Sequence, residues 1–341
     1  MTRTASSEAL ATFSQVLLAS AGADTASAEA ATWAVMHASI HGIDSHGVRL
    51  LPWYADCLRS GLAKGSPNIK ISHPRRATAL VDAGNGMGHL ATYRAMDEAC
   101  ALARDCGIGM AAVINSSHFG AAGAYVLTAA EAGFIGFITA NSGALVVPHG
   151  GKARIHGTSP IALAAPNPGK NPFLLDMATS AIPWNRVLRY RTEGLQLPPE
   201  VAVDGDGEFV TDPNLAVALA PAGGRDFGYK GAALAGLAEV LGGVLTGMRL
   251  SIEQDGTALA DSHMGHFVMA IDPTLFMTMD AFAERLQTYL DGFKSQPGTY
   301  AAGGPEWQRR DQRLAQGIPL PDGLYNELRD AAAKAGISFS L

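Results

Sequence analysis

Charge is scarce in this chain. Of its 341 residues only 16% are Asp, Glu, Lys or Arg, 48% are hydrophobic, and the formal net charge is −6. Soluble proteins average roughly 25% charged residues, so this chain must bury much apolar surface, which excludes disorder for most of its length. The absence of a Lys/Arg block also removes the electrostatic footprint that phosphate-backbone binding requires. We therefore expect a folded protein with no nucleic acid partner.

Cysteines and long apolar runs are scarce as well. The three cysteines, Cys57, Cys100 and Cys106, are too few for a disulfide framework and form no CxxC pair. The most apolar stretch, 231–247, contains Glu239 and is shorter than the ~20 residues that span a bilayer. Nothing near the N-terminus reads as a signal peptide. These absences predict a cytoplasmic protein with no membrane partner, while 39 glycines and many alanines predict closely packed helices in an oligomer.

Hydrophobic periodicity divides the chain into a helical part and an α/β part. Apolar residues at helical spacing predict helices up to residue 61, and from residue 77 short apolar runs alternate with amphipathic helices, which predicts an α/β layer. Between residues 146 and 176, frequent Gly and Pro predict strands joined by tight turns. Further helices are predicted at 181–192, 231–247, 280–293 and 323–334. Helix 231–247 should be buried on most sides, because small residues flank its apolar stripe.

A polar turn after the second predicted helix is a candidate for proton chemistry. Asp44-Ser45-His46-Gly47 places a hydroxyl beside an imidazole, and Arg49 follows one turn later. A histidine moves protons near neutral pH, and an arginine holds a carboxylate with two parallel hydrogen bonds. The turn therefore favours an acid substrate that exchanges a proton. A plain helix cap beside a packed His46 explains the same residues equally well.

A second histidine, His118, lies where a predicted strand meets a predicted helix. Its segment, Asn115-Ser116-Ser117-His118-Phe119-Gly120, occupies the kind of strand-to-helix turn at which ligands collect in α/β proteins. A hydrogen-bonded loop histidine is the alternative. The earlier run Gly84-Asn85-Gly86-Met87-Gly88 fails the dinucleotide fingerprint, because His89 occupies the place of the third glycine. We interpret that run as a tight turn.

Two further segments offer hydroxyl and carboxyl groups that could contact a ligand. Gly157-Thr158-Ser159-Pro160 and Asp176-Met177-Ala178-Thr179-Ser180 provide donors and space at strand ends, or simply form turns. Lys230 precedes helix 231–247 and opposes its dipole, so either a bound anion or solvent compensates it. His263 and His266 lack the further ligands of a metal site, so none is expected.

Five of these motifs, in this order and spacing, resemble the malate/L-lactate dehydrogenase family over essentially the whole chain. They are Asp44 to Gly47, Asn115 to Gly120, Gly157 to Ala162, Asp176 to Ser180 and Gly228 to Gly231. The resemblance implies an NAD- or NADP-dependent oxidoreductase with a non-Rossmann α/β fold. It implies a helical unit of residues 1–75, joined by C-terminal helices 275–341, and an inserted mixed-sheet cofactor-binding and catalytic domain of residues 76–274. It also implies a homodimer that acts on a small carboxylate.

The resemblance further implies roles for individual residues. His46 would be the proton donor with Ser45 as relay, whereas in members similar to ureidoglycolate dehydrogenase the residue matching His118 is the base. Both histidines therefore stay candidates. Arg49 and Thr158 would contact the substrate. The implied cofactor contacts are His118, Phe119, Gly120, Ala121, Ala122, Ser142, Asp176, Met177, Ala178 and Lys230.

Two segments depart from the family pattern. The chain reads Pro183-Trp184-Asn185-Arg186 where cyclic-imine reductases carry a relay aspartate, and Arg186 cannot replace an acid because it stays protonated. Arg186 is instead a candidate for holding an additional anionic group of the substrate. Ala302-Gly303-Gly304 stands in place of Pro-Gly-Glu, so Gly303 and Glu306 are the remaining candidates for cofactor contact there.

The substrate that the resemblance implies is a 2-hydroxy or 2-oxo acid of the malate, lactate, sulfolactate or ureidoglycolate type. The alternative is NADPH-dependent reduction of a cyclic imine carboxylate, Δ1-piperideine-2-carboxylate or Δ1-pyrroline-2-carboxylate. A protein that binds nucleotide without turnover is a third possibility, which the intact Ser45, His46 and Arg49 argue against.

Overall fold

The structure, a computed structural model, describes residues 3–254, 256 and 263–341. Residues 1–2 of the predicted helical unit, and residues 255 and 257–262 of the predicted domain 76–274, lie outside the described residues. The α-helices are α1 Ser7–Ser20, α2 Thr25–His41, α3 Leu51–Arg59, α4 Gly88–Cys106, α5 Gly123–Glu131, α6 Trp184–Glu193, α7 Gly224–Glu239, α8 Met279–Lys294, α9 Gly304–Gln316 and α10 Asp322–Ala335. The strands are β1 Arg3–Ala5, β2 Lys70–Arg75, β3 Thr78–Asp82, β4 Ile108–Ser116, β5 Ile135–Ala140, β6 Pro160–Ala165, β7 Phe173–Ala178, β8 Ala202–Val203, β9 Ala218–Leu219, β10 Met264–Ile271 and β11 Ile318–Leu320.

Seven strands form one mixed sheet in the order β2-β3-β4-β10-β5-β6-β7. β3 and β4 run parallel, whereas β10 is antiparallel to both of its neighbours, β4 and β5. Val268 of β10 lies opposite Ala111 on one side and Ile138 on the other, and all three are buried. A Rossmann sheet is mostly parallel, so the mixed order confirms the predicted non-Rossmann α/β fold.

Helix α4 covers this sheet closely because one of its faces carries only small side chains. Ala91, Ala95, Ala99 and Ala103 recur every fourth residue and are all fully buried in the sheet's hydrophobic core. Residues spaced by four lie above one another on one helix face. The alanine richness of the sequence therefore serves close packing of helix on sheet.

A second core joins the first three helices to the end of the chain. Leu17 of α1, Val35 of α2 and Leu51 of α3 are fully buried in the same cluster as Leu328 of α10. Strand β1 pairs with β11, which brings the C-terminal segment against the N-terminal helices. Helices α1 and α2 are capped by Ser6 and Asp24, whose side chains each accept a hydrogen bond from a backbone N–H of the first turn. No helix in the described ranges is long and apolar enough to cross a membrane.

Helix α7 begins earlier and is more exposed than the sequence predicts. It starts at Gly224 behind a left-handed Gly223, and Gly231 does not break it but packs against the backbone of Ala222, where a Cβ would come within 2.4 Å of the amide nitrogen. Lys230 therefore lies in the second turn and not at the N-terminus. The prediction that residues 231–247 are buried on most sides was wrong for the single chain: the exposed apolar side chains are Leu234, Leu237, Val240, Val244 and Leu245.

Helix α9 is absent from the sequence-based prediction. It carries Trp307 and Leu314 as its large apolar residues, and Leu314 is 54% exposed. Sequence reasoning recognises helices by a repeated apolar stripe, which this helix lacks. Its buried residue is instead a charged one, Arg313, and this arginine belongs to the site described below.

Candidate active site

The turn 44–47 is held by two helices. Arg313 of α9 donates from Nη2 to Oδ2 of Asp44 at 3.0 Å and from Nη1 to the Ser39 carbonyl of α2 at 2.6 Å. The Ser39 hydroxyl accepts the N–H of Val48 at 2.9 Å. Gly47 is needed for this approach, because a Cβ there would lie 2.4 Å from the Ser39 Oγ. The turn is therefore fixed in place by contacts on both of its sides.

His46 is the imidazole that this turn presents. Its Nδ1 lies 2.8 Å from the Oγ of Ser45, and the Asn185 side chain of α6 donates to the Ser45 carbonyl at 3.2 Å. Burial lowers the pKa of His46 to about 4, so the ring is neutral at pH 7. The hydrogen bond that His46 makes within the described residues is at Nδ1, which leaves its Nε2 available to a ligand.

The structure brings His118 directly against His46. The two rings are stacked with centroids 5.7 Å apart and planes 16° from parallel. Nδ1 of His118 lies 2.7 Å from the hydroxyl of Tyr54 and 3.4 Å from the N–H of Gly120. Burial, and then the neighbouring imidazoles, holds the pKa of His118 well below its usual value. Both candidate histidines are therefore neutral and lie in one place.

The segment 119–122 forms the turn that leads from β4 into α5. The first N–H of α5, at Gly123, donates to Oδ2 of Asp176 on β7 at 2.8 Å, as expected for a carboxylate at a helix N-terminus. Burial raises the pKa of Asp176 to about 6, the Gly123 hydrogen bond opposes this shift, and the charge of Glu306 adds to it. Asp176 therefore lies at the N-terminus of α5, close enough to Glu306 for the two carboxyl groups to interact.

Other predicted contacts lie at the ends of β5, β6 and β7. The carbonyl of Thr158 accepts the N–H of Thr179 at 3.0 Å, which joins two of the motifs. The hydroxyls of Ser142 and Ser159 are buried with no hydrogen-bond partner within the described part of the chain. Buried polar atoms are almost always paired, so these hydroxyls fit a site that receives a polar ligand. Met177 is partly exposed beside them.

The three basic residues predicted to bind substrate or cofactor, Arg49, Arg186 and Lys230, are not paired with the two histidines in the described part of the structure. Nη1 of Arg49 lies 4.0 Å from a carboxylate oxygen of Glu327 on α10. Arg186 is exposed on α6, and Lys230 is exposed on α7 with its Nζ 5.3 Å from the ring centroid of Phe227. No ion pair or hydrogen bond within the described ranges joins any of the three to His46 or His118.

Sequence reasoning missed three residues that support the site. Tyr54 belongs to the apolar stripe of α3 and therefore reads as a core residue. Arg313 lies on the helix that was not predicted, and Asn185 was noted only as part of a departure from the family pattern. A buried arginine or a core tyrosine has no signature in a single sequence, because its partner lies far along the chain.

Comparison with known proteins places this chain in a family. Residues 5–329 match the family described as malate/L-lactate dehydrogenase. The chain is 38% identical over 312 residues to the malate dehydrogenase of Pyrococcus abyssi, covering 88% of this chain and 86% of that protein. It is 31% identical to the NADP(+)-dependent (2R)-3-sulfolactate dehydrogenase of Chromohalobacter salexigens, covering 96% and 98%. It is also 31% identical to the NAD(+)-dependent ureidoglycolate dehydrogenase of Escherichia coli, covering 86% of each.

Two solved structures extend the likeness to the fold. The malate dehydrogenase of Pyrococcus horikoshii superposes with a TM-score of 0.90 at 32% identity, covering 99% of this chain and 97% of that one. A delta1-piperideine-2-carboxylate reductase of Pseudomonas syringae pvar. tomato gives 0.86 at 29% identity, covering 97% and 100%. Fold, site and relatives define an NAD(P)-dependent oxidoreductase. The chain belongs to the malate/L-lactate dehydrogenase family.

Proposed function

We propose that this enzyme interconverts a 2-hydroxy acid and the matching 2-oxo acid. The observation that carries the proposal is the stacked pair His46 and His118, two neutral imidazoles held side by side. Oxidation of a hydroxyl and reduction of a carbonyl both need a group that takes or gives one proton at the substrate oxygen. The relatives' names, malate, sulfolactate and ureidoglycolate dehydrogenase, support a small carboxylate as substrate.

His46 is the group to which we assign the proton transfer. In the oxidative direction its neutral Nε2 accepts the proton of the substrate hydroxyl, while Ser45 holds its Nδ1. In the reductive direction the ring must first be protonated, and an anionic substrate favours this because a nearby negative charge raises the pKa of an imidazole. The bound NAD(P) supplies or accepts the hydride at its nicotinamide ring.

Three residues are proposed to bind the substrate. Arg49 is the proposed partner of the carboxylate, and its long, half-exposed contact with Glu327 is of the kind that is worth at most about 1 kcal/mol. Turning Arg49 toward a substrate would therefore cost little. Thr158 is the second proposed contact, and Arg186 is the candidate for an additional anionic group.

The proposed cofactor contacts include residues just after β5, at the end of β7 and in the turn before α5. The unpartnered hydroxyl of Ser142 and the buried carboxyl group of Asp176 fit the polar hydroxyl groups of the NAD(P) riboses. Buried donors without partners gain more from a ligand than exposed ones, because they have no water to give up. The full proposed set is His118, Phe119, Gly120, Ala121, Ala122, Ser142, Asp176, Met177, Ala178, Lys230, Gly303 and Glu306.

The test is a rate panel with single-histidine variants. Initial rates of NADH and NADPH oxidation are measured with 2-oxo monocarboxylates, 2-oxo dicarboxylates, sulfopyruvate and the two cyclic imines. We expect turnover of one oxoacid class, with His46→Ala lowering kcat by about 10²–10⁴-fold. His73→Ala is the control, since His73 is half-exposed on β2 and pairs with Glu98 at 2.8 Å. Full turnover by both His46→Ala and His118→Ala would refute the assignment.

Reduction of a cyclic imine carboxylate is the second candidate function. It is favoured by the likeness to the delta1-piperideine-2-carboxylate reductase structure. It is disfavoured by Arg186, which lies in the segment where those reductases carry a relay aspartate and cannot act as an acid. Turnover of imines with no turnover of oxoacids in the same panel would establish this function instead.

We also propose that the enzyme is a homodimer that buries the apolar face of α7 and of the helical turn that follows it. Leu237 in α7, and Val244 and Leu245 just beyond its end, are 42–60% exposed, and contiguous exposed apolar patches mark interaction sites. Val244→Glu should then yield a monomer by light scattering, while Val16→Glu on α1, 45% exposed, should not. An unchanged mass for Val244→Glu would contradict this interface.

The three cysteines support our placing the enzyme in the cytoplasm. Cys57, Cys100 and Cys106 are all free thiols, and thiols persist in reducing compartments. Alkylation of the protein taken directly from cells should therefore label thiols and find no disulfide.

A further inference from the structure

The hydroxyl of Tyr54 is directed at one ring nitrogen of the active-site pair. Tyr54 lies in α3, is only 2% exposed, and places its Oη 2.7 Å from Nδ1 of His118. Within the described part of the chain, this is the hydroxyl's one hydrogen-bonding contact. The N–H of Gly120 approaches the same Nδ1 at 3.4 Å. Two donors therefore converge on a single nitrogen.

The positions of the protons follow from these contacts. Burial raises the pKa of Tyr54 well above its usual value, so the phenol keeps its proton. A buried hydroxyl proton needs an acceptor, and Nδ1 of His118 is the acceptor within reach. Gly120 can likewise only donate. Nδ1 must then carry a lone pair, and a neutral imidazole whose Nδ1 accepts carries its proton on Nε2.

We propose that Tyr54 is a positioning residue that holds His118 as the tautomer protonated on Nε2. His118 then offers its ligand a hydrogen-bond donor, and proton exchange is left to His46. The division of labour between the two histidines rests on the proposed function, whereas the tautomer of His118 follows from contacts within the chain.

The other groups around His118 act in the same direction. The titratable neighbours that face it are imidazoles: His46 from the turn, His89 from α4 and His266 from β10. The ring of Trp53 lies edge-on at 5.5 Å. A second proton on His118 would have to displace the Tyr54 hydroxyl proton and would gain no anionic partner from these groups.

His46 differs from His118 in the hydroxyl group that contacts its Nδ1. Its Nδ1 faces the hydroxyl of Ser45, and a serine hydroxyl can turn to donate or to accept. His46 can therefore carry its proton on either nitrogen or on both, as a proton-transfer group requires. The two stacked imidazoles therefore differ in the hydroxyl that contacts Nδ1, which is that of Ser45 for His46 and that of Tyr54 for His118.

The tautomer can be read directly by NMR on the protein without substrate. In the enzyme labelled with ¹⁵N-histidine, two-bond ¹⁵N–¹H correlations distinguish protonated from unprotonated ring nitrogens, and His118→Gln identifies the His118 signals. We expect Nε2 protonated and Nδ1 unprotonated in the wild type. Finding Nδ1 protonated would overturn the proposal without any variant and without any activity, so it is separable from failure of the proposed function.

Tyr54→Phe tests the hydroxyl while keeping the buried ring. We expect the His118 signals to move toward a mixture of tautomers and its titration to move to higher pH. We also expect kcat to fall about tenfold with KM changed less than about twofold, since one hydrogen bond of this kind is worth about an order of magnitude in population. Unchanged His118 signals in Tyr54→Phe would refute the role of Tyr54.

Tyr125→Phe is the matched control. Tyr125 is fully buried in the same region, and its hydroxyl donates to the carbonyl of Phe119 and not to an imidazole. Loss of this buried hydroxyl should leave both ring nitrogens of His118 as they are in the wild type. A shift in Tyr125→Phe equal to that in Tyr54→Phe would mean that loosened packing, and not the Tyr54 hydrogen bond, sets the tautomer.

Discussion

Arg313→Met is the perturbation that tests how the turn 44–47 is held. The Arg313 side chain is 6% exposed, while that of its partner Asp44 is 65% exposed. Removing the guanidinium lets Asp44 return to water at little cost, but it leaves the Ser39 carbonyl without its donor. An unsatisfied buried group costs about 1–3 kcal/mol, so we expect the free energy of unfolding to fall by about 2 kcal/mol. Methionine retains most of the buried volume.

The same substitution should lower activity more than a stability loss alone explains. The turn 44–47 carries His46, the group proposed to transfer the proton, and a displacement of about 1 Å at a catalytic group can cost on the order of 10²-fold in rate. We therefore expect kcat/KM to fall by about 10–100-fold under conditions in which the variant is fully folded. Urea unfolding at fixed protein concentration gives the stability, and steady-state rates on the identified substrate give the activity.

Arg329→Met is the control for this prediction. Arg329 and Asp330 form an exposed pair on α10 at 3.1 Å, with 53% and 70% of their side chains exposed. Such pairs contribute about 0–1 kcal/mol. If Arg313→Met changes stability and kcat/KM no more than Arg329→Met does, Arg313 does not hold the turn and the reasoning is refuted.

Two further predictions follow from close contacts in the site. Gly47→Ala should lower kcat strongly, because the new methyl group would lie 2.4 Å from the Ser39 Oγ and displace the turn that carries His46; wild-type kcat in Gly47→Ala would show that the turn does not need this close approach. The pKa of Asp176 is raised from 3.8 to about 6, so the native state binds more protons than the unfolded state between these values and this carboxyl lowers stability as pH rises through that window. Asp176→Asn should therefore gain about 1–3 kcal/mol of relative stability between pH 4 and pH 7, allowing for partial exposure to water. Parallel wild-type and variant urea midpoints across that range would contradict it.

The predicted elements and the observed ones agree where local periodicity is strong. Residues 280–293 and 323–334 were predicted as helices and lie within α8 and α10. The prediction failed at α9, which has almost no apolar stripe, and at the exposure of α7, whose stripe faces outward in the single chain. Periodicity indicates which face of an element is apolar, but it does not say what covers that face.

The sequence by itself determined the family, the α/β class and the two candidate histidines. Motifs and hydrophobic periodicity depend only on residues that are close together in the sequence, so they can be recognised without the structure. Only the tertiary structure decided that β10 lies between β4 and β5, that His46 stacks on His118, and that Tyr54 and Arg313 support them. These are contacts between residues far apart in the chain. Their partners are selected by packing and hydrogen-bond satisfaction across the whole fold, and a single sequence carries no local mark of that selection.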